Sequence, residues 1–471
     1  MVLPSIFDTN QPDVISQSLV HWMREQEIAL RDGYRLFRGY YRGEQKSLVT
    51  DRMKEFIKQE LTFRDNFCDV VVDVMAERLN VLGFDSGGND ELSQLMWEWW
   101  QQNRMDLTQK IVHTEAIMLG DAYVMVDWDG ENSRPRFQYQ DPEMMLAHYN
   151  SGTRRLDMIS KKWVEQPTLD DPKLTRLNLY YPDRIEKYAE RSGTWRQYQD
   201  EGEESWPTPW VNKQGRPLGI PVFHFKNRAL SDDYGSSELA DIIPLQDLLN
   251  KTLIDLTQVM DVQAFRQRWT LGIIPPAQFD VTPGAVWSLT ADNEGGAQVG
   301  EFEGASTEGI LRVMETLIQH IAGQSRTPQH LFHISGNYPS GEALKTAEAG
   351  LVKKVEERQV NFGNAWEDMM QMAVKLDILY GSGSDANLES ILSTSWDDPE
   401  TRNELQMLQG LQIKLTLGIT QHQVWREMGY TQQKIDQMQQ DIEDERVAET
   451  NIGAAILQNF QSGTGNGLAG R

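Results

Sequence analysis

One stretch limits what this chain can fold into more than any other. From Glu342 to about Tyr380 a helical pattern runs without a proline, and Gly381 to Gly383 end it. At 1.5 Å per residue this helix spans roughly 60 Å, a length globular proteins rarely use unless it supports an extended assembly. Ser340 followed by Glu342 gives its N-terminal signal. Two shorter helices precede it. Ser237 to Phe265 carries Leu239, Ile242, Leu249, Leu253, Leu256 and Met260 at steps of three and four. Pro244 either kinks this helix or marks its true first turn. Ser306 or Thr307 caps a second helix to about Gln324, with Ile310, Leu311, Met314, Leu317, Ile318 and Ile321. Between the two, Arg266 to Ala305 holds Pro275-Pro276, Pro283-Gly284 and Gly295-Gly296, which exclude a long helix. Thr327 to Ser340 is a loop.

The N-terminal part begins helical. Ser16 to Tyr40, Asn66 to Leu79, Leu92 to Trp100 and Leu107 to Leu119 each show the helical period. From Ala122 the period changes to two. Ala122–Trp128, Arg134–Gln140, Met144–Tyr149, Leu156–Val164, Arg176–Tyr181 and Arg184–Ala189 predict an antiparallel sheet or meander, with Pro221–Lys226 as a further strand. Glu201 to Pro221 is an exposed loop. Asp398 to Phe460 is helical and rich in Gln, Glu and Leu, and the glycine-rich Ser462–Arg471 is expected to be disordered. The fold class is therefore α+β and mostly helical.

The chemistry on offer is sparse. With 45 Lys+Arg against 70 Asp+Glu, the formal charge of −25 argues against gripping nucleic acid by overall attraction. It does not exclude a protein that surrounds DNA without holding it. No apolar run approaches the roughly 20 residues of a membrane span, and no secretory signal is visible. A single cysteine, Cys68, forms no intrachain disulfide and excludes a Cys-based metal site. The expected compartment is a reducing cytoplasm or an assembly built there. Gly336 to Gly341 has the glycine spacing of a phosphate loop, but Glu342 and Ala343 stand where Lys and Ser or Thr are required. His320, His330 and His333 could hold zinc, but no second ligand cluster supports them, and they read as polar loop residues. His113 and Glu115 do not share a helical face and read as surface or capping groups. Trp97, Trp99 and Trp100 read as core or subunit-contact residues. No cofactor, metal or catalytic set is expected.

Several local signatures then occur in a telling order. They are Tyr40-Tyr41-Arg42-Gly43-Glu44, Asn66 to Leu79, Gly120-Asp121-Ala122-Tyr123-Val124, Tyr181 to Glu186, Gly235 to Lys251, Arg326-Thr327-Pro328 and Ser340 to Lys345. Together with the order helix, compact insert, helix, short loop, very long helix, they resemble the tailed-phage portal family, siphophage type. Its members form the ring that joins head to tail. The competing assignments are another head–tail connector or vertex protein, usually much shorter, and a His-based metalloenzyme.

The resemblance implies a portal fold. Residues 1–235 would form the wing, 236–265 the first stem helix, 266–305 the clip, and 306–326 the second stem helix. The tunnel loop would be 327–340, the long wing helix 341–381, the crown 382–460, and the tail 461–471. It also implies a ring, usually of twelve copies, at one capsid vertex of the virion, assembled in the host cytoplasm. Double-stranded DNA would pass through it during packaging and ejection. Implied partners are the terminase large subunit, a head-completion or adaptor protein, and the major capsid and scaffolding proteins, with no membrane. Around the DNA it places Gln329, His330, His333, Asn337, Tyr338 and Ser340 of the tunnel loop. Asp241, Asp247, Asp255 and Asp261 would line the channel, with Glu238 a further acid of the same helix. The bland alternative for these acids is a solvated outer face. The clip would meet its partners through Arg266, Arg268, Trp269, Phe279 and Trp287.

Overall fold

A computed structural model describes residues 7–8, 11–15, 17–45, 65–166, 173–191, 193–200, 202, 205–228, 233–264, 268–271, 298–301, 307–332, 341–383, 391–400, 411–427, 434–435, 437–443 and 446. The chain begins with β1 (Phe7–Asp8), β2 (Gln11–Ile15), α1 (Gln17–Tyr41), α2 (Cys68–Ala76), β3 (Val81–Asp85), α3 (Asp90–Gln102) and α4 (Met105–Leu119). Then come β4 (Asp121–Asp129), β5 (Arg134–Gln140), β6 (Met145–Tyr149), β7 (Leu156–Glu165), β8 (Leu174–Tyr180), β9 (Arg184–Arg191), β10 (Thr194–Gln197), β11 (Thr208–Pro209) and β12 (Val222–Lys226). The remainder holds α5 (Ile243–Ala264), β13 (Arg268–Leu271), β14 (Gln298–Glu301), α6 (Thr307–Ser325), α7 (Gly341–Tyr380), β15 (Ser393–Trp396) and α8 (Gln421–Glu427). Two compact units result. One holds residues 1–77, 110–125 and 139–361, and the other holds 78–109, 126–138 and 362–471.

The first unit is built on an eight-stranded sheet of order β1-β2-β10-β9-β8-β7-β6, with β11 beside β9. Successive side chains of a strand point to opposite faces, and here both faces are buried. Leu146, Met158, Leu177 and Leu179 join Met23 of α1 and Trp195 on one side. Their neighbours Met145, Ala147, Ile159 and Tyr180 join Tyr123 of β4 and Val222 of β12 on the other. An edge strand carries unpaired backbone groups. At β6 the Tyr234 hydroxyl answers this, donating to Ala147 O at 2.6 Å and accepting from Ala147 N at 3.1 Å. Arg38 ties α1 to the rest, donating to Glu115, Asp141 and Glu143 at 2.7–2.8 Å. Glu115 is thus an ion-pair partner rather than a loose surface group. His113, expected at the surface, is fully buried, because the C-terminal half of α4 is enclosed almost all round.

The second unit packs around Trp100. Its ring meets Phe84 and Trp366 edge-on at 5.4 and 5.0 Å and stacks on Trp97 at 6.2 Å. Trp99 is also buried, so Trp99 and Trp100 belong to the core, with Trp97 partly buried beside them. β15 pairs antiparallel with β3, and the α7 backbone comes so close to it that a Cβ on Gly363 would lie 3.2 Å from the Trp396 indole nitrogen. Asn89 caps α3, its side chain accepting from Leu92 N. Among the described residues, no helix is long and apolar enough to cross a membrane.

Candidate functional site

The helices α5 and α6 pack as a hairpin. Pro244 is the second residue of α5 and so marks its first turn. The chain reaches that turn through a strap, Tyr234 to Leu239, which crosses Gly120. The crossing is so tight that a Cβ on Gly235 would sit 2.1 Å from Gly120 O, and one on Gly120 would sit 2.9 Å from Gly235 O. Gly120 also has φ +101°, which disfavours any side chain. Asp121 Oδ1 accepts from Gly235 N at 2.8 Å and from His224 Nε2 at 2.7 Å, while Oδ2 accepts from Tyr34 at 2.8 Å. Ser236 N donates to Asn227 O, Ser237 Oγ to Met118 O, and Glu238 N to Ile117 O.

Glu238 is the centre of this root. Its side chain is 2% exposed, so it is not a channel acid, and it precedes α5 rather than lying in it. Oε2 accepts from Lys354 Nζ at 2.7 Å, and Oε1 accepts from Arg358 at 2.6 Å and from Asn227 Nδ2 at 3.2 Å. Lys354 also donates to Ser325 O at the end of α6, and Arg358 Nε to Asn227 Oδ1. One carboxylate therefore joins the start of α5, the end of α6, the strand β12 exit and α7. Burial pushes the Glu238 carboxyl up, but Lys354 and Arg358 outweigh it, and the net shift is downward. Burial, joined by the nearby Arg358 and Arg228 charges, lowers Lys354 against the opposing pull of Glu238.

The first turns of α5 are pinned from the other side. Tyr40 donates to Asp247 Oδ1 at 2.7 Å, Gln246 accepts from Phe67 N and donates to Asp65 O, and Asn250 donates to Gln45 Oε1. Most of the sequence signatures therefore converge on the root of this hairpin. Tyr181 to Glu186 is elsewhere and forms the β8–β9 turn, with Arg184 over the Tyr181 ring at 4.0 Å.

The expected site residues do not behave as one set. The buried face of α5 carries Gln246, Leu249, Asn250 and Ile254. Asp255 lies away from it and pairs with Lys251 at 2.7 Å, and Asp241 is 71% exposed in the turn before the helix. Asp247 is half-buried and taken by Tyr40. Asp261 lies in α5, with its side chain outside the described residues. Gln329 is exposed, whereas His330 lies 3.5 Å from Glu348. His333, Asn337, Tyr338 and Ser340 lie outside the described residues, as do Arg266, Phe279 and Trp287 and the side chains of Arg268 and Trp269. β13 and β14 pair antiparallel within the expected clip. Among the described residues, no group of three His, Cys, Asp or Glu side chains could hold a metal.

Residues 20–449 match the family described as phage portal protein, SPP1 Gp6-like. The portal protein of Mycobacterium phage D29 is 25% identical over 422 residues, which cover 85% of this chain and 81% of that one. That of Mycobacterium phage L5 is 24% identical over 420 residues, with the same coverage. Among solved structures, a chain from the neck of an empty gene transfer agent particle covers 76% of this chain and 87% of itself, at 13% identity and a TM-score of 0.44. With a match over nearly its whole length, this chain belongs to the phage portal proteins, SPP1 Gp6-like, structural virion components that form the DNA-packaging channel and are not enzymes.

Proposed function

We propose that the chain works as a closed ring of twelve copies in which the α5–α6 hairpin faces the channel and residues 266–305 form the docking end. The observation that carries this reading is the unequal surface of the hairpin. One face of its root is stitched into the body, while Leu248 on the other face and, further along, Met260, Leu311 and Val313 are each about half exposed. A helical hairpin with apolar residues left open calls for a neighbour, and adjacent copies supply it. Asp241 and Asp255 then face DNA. A lumen lined with Lys or Arg would release counterions and bind the duplex tightly, whereas an acidic one lets it slide. The docking end meets the terminase large subunit during packaging and a head-completion protein afterwards. Capsid and scaffolding proteins surround the wing, and the ring is built in the host cytoplasm.

Negative-stain microscopy with light scattering tests this. The expected result is rings with a central hole. A stable 54.0 kDa species at every salt and protein concentration would overturn it.

A further inference from the structure

The tunnel-loop assignment treats residues 327–340 as one DNA-facing segment. The part at the end of α6 is built differently. Thr327 is 3% exposed, and its N–H donates to Ala322 O at 3.1 Å and to Ser325 Oγ at 3.3 Å. Pro328 is buried and opens a single 3₁₀ turn, in which Leu331 N donates to Pro328 O and Phe332 N to Gln329 O. Gln329 stays exposed, whereas His330 and Phe332, the residue that ends the turn, face the body. Phe332 is 8% exposed and meets the Phe67 ring edge-on at 5.5 Å. His330 is 20% exposed, with Nε2 3.5 Å from Glu348 Oε1 on α7. Nε2 of this imidazole is therefore turned toward α7 rather than outward.

We propose that Thr327–Phe332 is a fixed pedestal, and that His330 and Phe332 are positioning residues. They act on DNA only through the place they give the rest of the loop. The proposal rests on the channel assignment above. The same helix that carries Glu348 also carries Lys354 and Arg358, so α7 holds the pedestal and the hairpin root in one frame.

A double-mutant cycle tests the proposal. Particles are assembled with portals carrying H330A, E348A, both changes, or H330Q, which keeps an N–H directed at Glu348. Coupled residues are strongly non-additive. H330A and E348A should lower packaged DNA alike, by about threefold or more. The double variant should be no worse than either, and H330Q should recover most of the loss. A direct DNA contact would instead give a defect with H330A and parental packaging with E348A. That pattern, or parental packaging by both, overturns the positioning role.

Hydrogen exchange on the purified protein needs no particle and separates the two layers of the argument. The Leu331 and Phe332 amides should exchange about threefold or more faster in E348A and in Phe67→Ala than in the parent. Unchanged rates overturn the pedestal whatever the particles do. Faster exchange with parental packaging overturns the positioning role, and the DNA-facing assignment with it.

Discussion

At its root the α5–α6 hairpin meets Glu238, buried among Lys354, Arg358 and Asn227, and a backbone crossing that tolerates only glycine. A few turns further along α5, Asp255 pairs with Lys251 at half-exposed positions, and the first turns of α6 leave Leu311 and Val313 open. Both regions are rich in charge, yet the charges do different work. Buried charges must be paired within the chain, so the root fixes geometry. Exposed charges are solvated and contribute little to folding, so the far part is free to be shaped by what surrounds it.

The comparison is broken most sharply by Glu238→Ala. Removing one partner of a buried pair leaves Lys354 without its carboxylate and Arg358 with only the exposed Glu357 at 2.8 Å, and unfolding in denaturant should show a loss of about 3–5 kcal/mol. Gly235→Ala attacks the same root sterically. Its Cβ meets backbone at Gly120 and Asn227 rather than a flexible side chain, so a loss at or above the usual overpacking range of about 1–3 kcal/mol is expected in the same assay. Acid titration sharpens the contrast. The folded Glu238 carboxyl lies below its ordinary value, so its contribution is full above about pH 4.3 and is lost as pH falls through the lower folded value. In Glu238→Gln the acid limb of the stability curve should be flatter, and an unchanged limb would place the acid sensitivity elsewhere.

Changes away from the root should be mild and can even stabilise. Gly309, in the first turn of α6, has nothing within 4 Å of an added Cβ. Gly309→Ala should raise the unfolding free energy by about 0.5–1 kcal/mol, opposite in sign to Gly235→Ala. Asp255→Ala removes an exposed i, i+4 pair and should change stability by no more than about 0.5 kcal/mol. A loss comparable to that of Glu238→Ala would erase the distinction between the two regions.

Much of this architecture was legible because it is local. The long helix, expected from Glu342 to Tyr380, spans Gly341–Tyr380. Arg134–Gln140 and the first-turn alternative for Pro244 follow from period and proline chemistry alone. Glu238 was legible only as one more acid of the helix it in fact precedes, because Lys354 and Arg358 lie 116 and 120 residues away and no spacing rule connects them. His113 was misjudged for a related reason. Helical periodicity identifies one apolar face, and the end of α4 is enclosed on more than one. The pairing of β10 with β2 rests on a single register pair, Arg196↔Val14, too short to leave a pattern. Gly120 and Gly235 stood out as signature glycines, but their reason is a crossing between segments far apart in sequence.

The central claim is that the fixed root aims an acidic hairpin at a channel. High-resolution electron microscopy of the assembled protein tests it directly. The account predicts a closed ring with Asp241 and Asp255 projecting into the central opening and Glu238 still enclosed by Lys354 and Arg358. An assembly that turns Asp241 and Asp255 to its outer surface, or that opens the Glu238 cluster to solvent, would contradict it.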